Sequence, residues 1–123
     1  MATGLENLKV YQMAQELEIR VHEITKEFPK DERYRSVDQL RRSASSVTNN
    51  IPEAYYKQSM KERIHILKDI AICEAEETRS NLQMCSVKRF AEQKVLIQIM
   101  NDYTGFMKAT HGYIRFLKDK LAN

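Results

Sequence analysis

The stretch Gln39-Leu40-Arg41-Arg42-Ser43-Ala44-Ser45-Ser46-Val47-Thr48-Asn49-Asn50-Ile51-Pro52-Glu53-Ala54 decides how this chain folds. Leu40, Ala44, Val47, Ile51 and Ala54 recur in steps of four and three, the spacing of a helix packed nearly parallel or antiparallel to its neighbours. The segment also carries a face of small residues, which lets neighbouring helices approach closely. Pro52 has no N–H to offer the Thr48 carbonyl. An interior proline costs about 3 kcal/mol unless the helix bends or stops. A kink or an early end is therefore expected between Asn49 and Pro52.

The same heptad continues on both sides. Val10, Ala14, Leu17, Val21, Ile24 and Phe28 predict a first helix over residues 8–28, stopped by Pro29. The second is expected over 37–56, opened by a capping box of Ser36 and Gln39. Ser59 and Glu62 form another box, ahead of a third helix over 60–88. Its stripe reads Ile64, Leu67, Ala71, Glu74, Thr78, Leu82 and Cys85, widened by Ile66, Ile70, Cys73 and Met84. No glycine or proline marks its end. A fourth helix is expected over 91–121, with Ile99, Tyr103, Phe106, Tyr113 and Leu117 on one stripe. Met100, Met107, Ile114 and Leu121 form a second stripe, which is either a self-association surface or a broad core face. No strand alternation or internal repeat is present. Four long helices with short connections predict an all-α, antiparallel up-down-up-down four-helix bundle in a single domain, 1–123.

Composition agrees. With 123 residues the chain can bury one core, and its 30% charged and 42% hydrophobic residues suit a helical globular protein. No apolar run approaches the roughly 20 residues of a membrane span. The start Met1-Ala2-Thr3-Gly4-Leu5-Glu6-Asn7 lacks the basic and apolar blocks of a secretory leader. Cys73 and Cys85 stand about 18 Å apart on one straight helix, by the 1.5 Å rise per residue. They cannot bridge within one chain, and reduced cysteines point to the cytoplasm.

Several motifs together resemble a bacterial four-helix-bundle family that includes proteins encoded in intervening sequences of large-subunit ribosomal RNA genes. They are Leu8-Lys9-Val10-Tyr11-Gln12 with Ala14, and Phe28-Pro29. The Gln39–Glu53 signature follows, then Ile70-Ala71, Glu74-Ala75 and Glu77-Thr78 with Leu82. The resemblance spans about Leu8 to Leu82, with the last helix similar only in character. The chain departs from the family's pattern at Thr48, where proline is usual, at Ala54, where glycine is usual, and at Ser80-Asn81, where aromatics often stand. The resemblance implies an antiparallel bundle that assembles with itself as a ring, commonly a pentamer, and a suspected nucleic-acid role, but no known reaction. More distantly, the bundle is similar to accessory proteins of diversity-generating retroelements, which bind nucleic acid and a reverse transcriptase; this is analogy of fold alone.

Few residues suggest chemistry. Glu62-x-x-His65 is half of a di-iron carboxylate motif, but the second Glu-x-x-His is missing and Glu62 has a capping role. No metal, cofactor or small-molecule substrate is expected. Glu18/His22 and His65/Asp69, four apart, read as exposed helix-face pairs. No phosphate-binding glycine loop, nucleophile elbow or Cys-x-x-Cys is present, and no catalytic activity is expected. Glu74 falls on the core stripe, where a carboxylate needs a partner. Arg41, flanking the core stripe of the second helix, is the expected one, in an ion pair that fixes helix register; a functional carboxylate is the competing reading.

The basic residues are the functional lead. From Arg33 to Arg63 seven cations face three carboxylates, a balance of +4 against +3 for the whole chain. Arg35, Arg41, Arg42, Lys57, Lys61 and Arg63 are the candidate contacts to RNA or DNA, with Tyr55 and Tyr56 placed to stack on bases or to pack in an interface. A ring would repeat a weak electrostatic patch in every subunit. The competing readings are a solvated face with intersubunit salt bridges, and a structural protein–protein adaptor.

Overall fold

A computed structural model describes residues 4–122. The Met1–Thr3 start, part of the leader expectation, lies outside the described residues. Helix α1 spans Lys9–Thr25 and α2 Asp38–Tyr55. The third rod is composite: α3, Met60–His65, runs through a wide π-type turn, Ile66–Ala71, into α4, Ile72–Val87. The last helix, α5, spans Gln93–Ala122. Among the described residues there is no strand. Helices α1, α2, α4 and α5 each pack against the next, and α5 returns to α1. This is the antiparallel four-helix bundle that the periodicity predicts.

The core follows the heptads closely. Val10, Ala14, Leu17, Val21, Ile24 and Phe28 are buried, as are Leu40, Ala44, Val47, Ile51 and Ala54 of α2. Small side chains meet across α2 and α4. The Thr78 hydroxyl lies 2.7 Å from Ser43 Oγ and 2.8 Å from the Glu74 carbonyl, and Ala44, Ala71 and Ala75 are fully enclosed. On the opposite flank Thr48 sets its buried hydroxyl 3.3 Å from the carbonyls of Ala14 and Ala44.

The local expectations need five corrections. First, α1 stops at Thr25, three residues early, and tightens into a turn in which Lys26, Glu27 and Phe28 donate to carbonyls three residues back. Second, Ser36 caps nothing. A wide π-type turn, Arg33–Val37, leads straight into α2, so Ser36 is already inside the helical path, and its hydroxyl donates to Glu32 Oε1 at 2.6 Å. Third, α2 does not end at Pro52. It continues to Tyr55, and the Tyr56 N–H bonds the Pro52 carbonyl at 3.0 Å. The missing bond falls in the last turn, flanked by the fully buried Ile51 and Ala54, whose packing holds the helix together. Fourth, in the third rod Ile66 and Leu67 are both buried, and the core then steps from Ala71 to Ala75. Glu74 therefore sits at the edge of the core, half-buried. Fifth, Thr110 of α5 takes a core place where the partly buried Tyr113 was expected; of the second stripe, Ile114 is buried and Leu121 exposed. The Ser59 box holds in part, since Ser59 Oγ accepts from the Glu62 N–H at 3.3 Å.

The unmarked end of the third rod is a Schellman closure without glycine. Arg89 adopts φ 60°. Its N–H bonds the Ser86 carbonyl at 3.0 Å, and the Phe90 N–H bonds the Cys85 carbonyl at 3.0 Å. Phe90 then packs on Phe28, ring centroids 5.5 Å apart. A left-handed non-glycine residue costs about 1–2 kcal/mol. Arg89→Gly is therefore expected to stabilise the protein by about 1 kcal/mol in urea unfolding. Tyr103 is fully buried, its hydroxyl has no hydrogen-bond partner among the described residues, and burial pushes its pKa up. Tyr103→Phe removes an unsatisfied polar atom at nearly constant shape. Its unfolding midpoint is expected to equal or exceed that of the parent, by up to about 1 kcal/mol.

Candidate nucleic-acid interface

The six candidate cations do not form one patch. Arg41 faces α1 rather than Glu74: its Nε donates to Thr25 Oγ1 at 2.9 Å and its Nη2 to the His22 carbonyl at 3.3 Å. It thus ties α2 to the last turn of α1, where free carbonyls and the negative end of the helix dipole favour a cation. The expected Arg41–Glu74 pair does not form. Arg63 is also engaged within the fold: its Nε donates to the Lys57 carbonyl at 2.6 Å, closing the turn between α2 and α3. Lys57 is half-buried in that turn and Lys61 is exposed. Arg35 is exposed in the wide turn before α2. Arg42 has its side chain 79% exposed and pairs with Asp38 at 2.7 Å. The helix from Arg42 to Tyr55, about 20 Å long at 1.5 Å per residue, separates the two groups.

Two grooves meet at Tyr34, which stands 84% exposed in the wide turn. One, between α2 and α4, is lined by Arg35 and Arg42 but also by Asp38, Glu74 and Glu77. Burial, and then the neighbouring Glu77, push the Glu74 carboxyl above its ordinary value. This groove is of mixed charge, not basic.

The other groove lies at the α1–α2 corner. Its charged lining is Lys26, Lys30, Arg33 and Arg41, with no carboxylate among the described lining residues. Phe28 and Val37, both buried, give it an apolar floor. Its volume of about 570 Å³ falls within the roughly 300–1,000 Å³ of small-ligand sites. The Arg33 guanidinium rests 5.8 Å from the Tyr34 ring centroid. Lys26 pairs with Glu23 at 3.0 Å. That contact, first by its hydrogen bond, holds the Glu23 carboxyl below its ordinary value, and Arg41 adds a smaller pull. Among the described residues Lys30, Arg33, Arg35 and Arg41 have no carboxylate within 4.0 Å, the limit for an ion pair. Arg41 bonds only neutral oxygens, so its charge stays available.

Sequence reasoning missed the corner. Arg33 enters the sequence reading through the charge excess, Lys30 only as part of the polar connection after Pro29, and neither Lys26 nor Tyr34 is a candidate contact. The available signal was Arg33-Tyr34-Arg35, an aromatic between two arginines. The tyrosines it did single out stand near the far end of α2: Tyr55 is half-buried, and Tyr56, exposed, meets it edge-on at 5.2 Å. Elsewhere, His65 Nδ1 lies 2.7 Å from Asp69 Oδ2, an exposed pair. Among the described residues no three His, Cys, Asp or Glu side chains gather as a metal site requires. No described helix is long and apolar enough to cross a membrane.

The two arginines of α2 separate by experiment. Arg41→Ala leaves two buried-edge acceptors without their charged donor and is expected to cost about 1.5 kcal/mol in urea unfolding. Arg42→Ala removes only a surface pair and should stay within about 0.5 kcal/mol of the parent.

Comparison with known proteins places the chain. Residues 6–112 match the family model described as 23S rRNA-intervening sequence protein. A crystal structure from Bacteroides thetaiotaomicron, of a protein with unknown function from the S23 ribosomal protein family, is similar at 29% identity and a TM-score of 0.76. The match covers 85% of this chain and 97% of that one. No curated protein matches the chain.

Proposed function

This chain belongs to the 23S rRNA-intervening sequence protein family, and on that footing we propose that it is a non-catalytic, cytoplasmic bundle protein that binds RNA or DNA through the α1–α2 corner. The observation that carries this reading is the groove whose four charged lining residues are all cations. Phosphate contacts supply most sequence-independent affinity for nucleic acid. Lys30, Arg33 and Arg35 are the contacts, with Arg42 at the edge and Arg41 contributing charge while it ties α1 to α2. Lys57 and Lys61 form a separate, weaker patch, and Arg63 is structural.

Self-association in a ring belongs to the same reading. Ile19 of α1 and Ile97 of α5 are large exposed apolar side chains, suited to contact between copies. A ring would present the corner once per subunit, so that modest single-site affinity multiplies. The mixed-charge α2–α4 groove favours a second reading, a protein–protein adaptor, because paired opposite charges beside an exposed tyrosine suit a protein surface better than a phosphate backbone.

The test is the salt dependence of binding to mixed RNA and DNA. With three or four phosphate contacts, log K_obs should fall against log salt with a slope of about −2 to −3. Lys30→Ala/Arg33→Ala should weaken binding at least tenfold and flatten that slope, with unchanged helicity. An absence of binding at low salt, or a salt-independent affinity, would leave the adaptor reading in its place.

A further inference from the structure

We infer that the α1–α2 corner takes a single-stranded segment of nucleic acid, one base stacking on Tyr34 while the adjoining phosphates lie along Lys30, Arg33 and Arg41. This rests on the nucleic-acid reading above and narrows it to a strand class.

Three observations carry it. Tyr34 projects at 84% exposure from a turn that places cations on both sides of it in sequence, Arg33 and Arg35. Sequence-tolerant binding of single strands uses this combination of an aromatic platform and a cationic track. Next, the groove is amphipathic: cations at its rim and Phe28 and Val37 beneath. An unstacked base brings an apolar face to such a floor, whereas a duplex keeps its base faces stacked inside and offers phosphates. Finally, the surroundings disfavour a duplex. Across Tyr34 the surface turns mixed, with Asp38, Glu74 and Glu77 in the neighbouring groove, and the second cationic group lies beyond the far end of α2, about 20 Å along the helix from Arg42. A second phosphate row would meet carboxylates rather than cations. The corner fits one strand of a few nucleotides, and the contacts invoked are to phosphates and a base face, which RNA and DNA share, so strands of either kind are expected to bind alike.

The experiment is fluorescence anisotropy at low salt with a labelled mixed-sequence 12-nucleotide RNA, the matching DNA strand, and the duplex of that DNA. Both single strands should bind at least tenfold tighter than the duplex and within about threefold of each other. Tyr34→Ala should weaken single-strand binding about tenfold, within the range attributed to one base stacked on an aromatic, and leave duplex binding unchanged. Tyr34→Phe should keep the affinity, because the ring remains. Photo-crosslinking of a 4-thiouridine strand, with the adduct located by mass spectrometry, should mark the peptide containing Tyr34, a readout independent of variant stability. Equal affinity for duplex and single strand, or no loss in Tyr34→Ala while Lys30→Ala/Arg33→Ala still weakens binding, overturns the single-strand inference but spares the nucleic-acid reading. No binding to any of the three overturns both.

Discussion

The bundle depends on how deeply α2 can sink between its neighbours. Leu40, Ala44, Val47 and Ile51 are completely enclosed, and the residues beside them are small. On one flank Ser43 meets Thr78 of α4; on the other Thr48 reaches the backbone of α1 at Ala14. A hydroxyl that close to a neighbouring helix does two jobs. It fills the narrow gap that larger side chains would prop open, and it satisfies its own polarity within the gap. Arg41 closes the same contact at the end of α1. With α2 held at this depth, the wide turn before it lies at the surface and presents Arg33, Tyr34 and Arg35 outward.

Of the two wide turns, Arg33–Val37 leaves the α2 heptad intact, while Ile66–Ala71 costs the stripe one position. Before each, the pattern places the core correctly, as α1 illustrates from Val10 to Ile24. After the second, Ala75 is buried where a strict repeat demands Glu74. The wide turn shifts the buried position by one residue locally, before Thr78, Leu82 and Cys85 return to the expected stripe, and no side chain announces it. The error is self-consistent: having placed Glu74 inside, the periodicity also demands a partner for it, and Arg41 is the nearest cation. In the fold the carboxylate is at a groove edge and the arginine bonds α1. The Arg89 closure was hidden for a related reason. A left-handed residue is normally announced by glycine, and here an arginine takes the conformation.

The site was legible as a charge excess but not as a surface. Counting cations along Arg33–Arg63 points to α2 and its entry. Sequence proximity then groups residues that the helix sets at opposite ends, such as Arg42 and Lys57. It also leaves out Lys26 and Lys30, which the turn after α1 folds back towards Arg41. Helical rise separates neighbours in sequence, and a tight connection joins residues from two helices. Neither effect shows in a tally of charges. Side-chain commitments are hidden as well: Arg63 closes a turn, while Arg41 takes part in packing without losing its charge.

That last property of Arg41 reaches beyond its hydrogen bonds. A cation paired with a carboxylate is nearly a dipole a few ångströms away, and its field fades quickly. Arg41 gives its donors to a hydroxyl and a backbone carbonyl, so it acts on passing anions as a fixed monopole. The bonds also hold it in place, and an approaching anion need not wait for a flexible side chain to arrive. At physiological salt such a field extends about 8 Å before screening removes it. That distance is enough to act on ligands before contact, during diffusional encounter. The residue that locks α1 to α2 therefore bears on association kinetics as well as on folding.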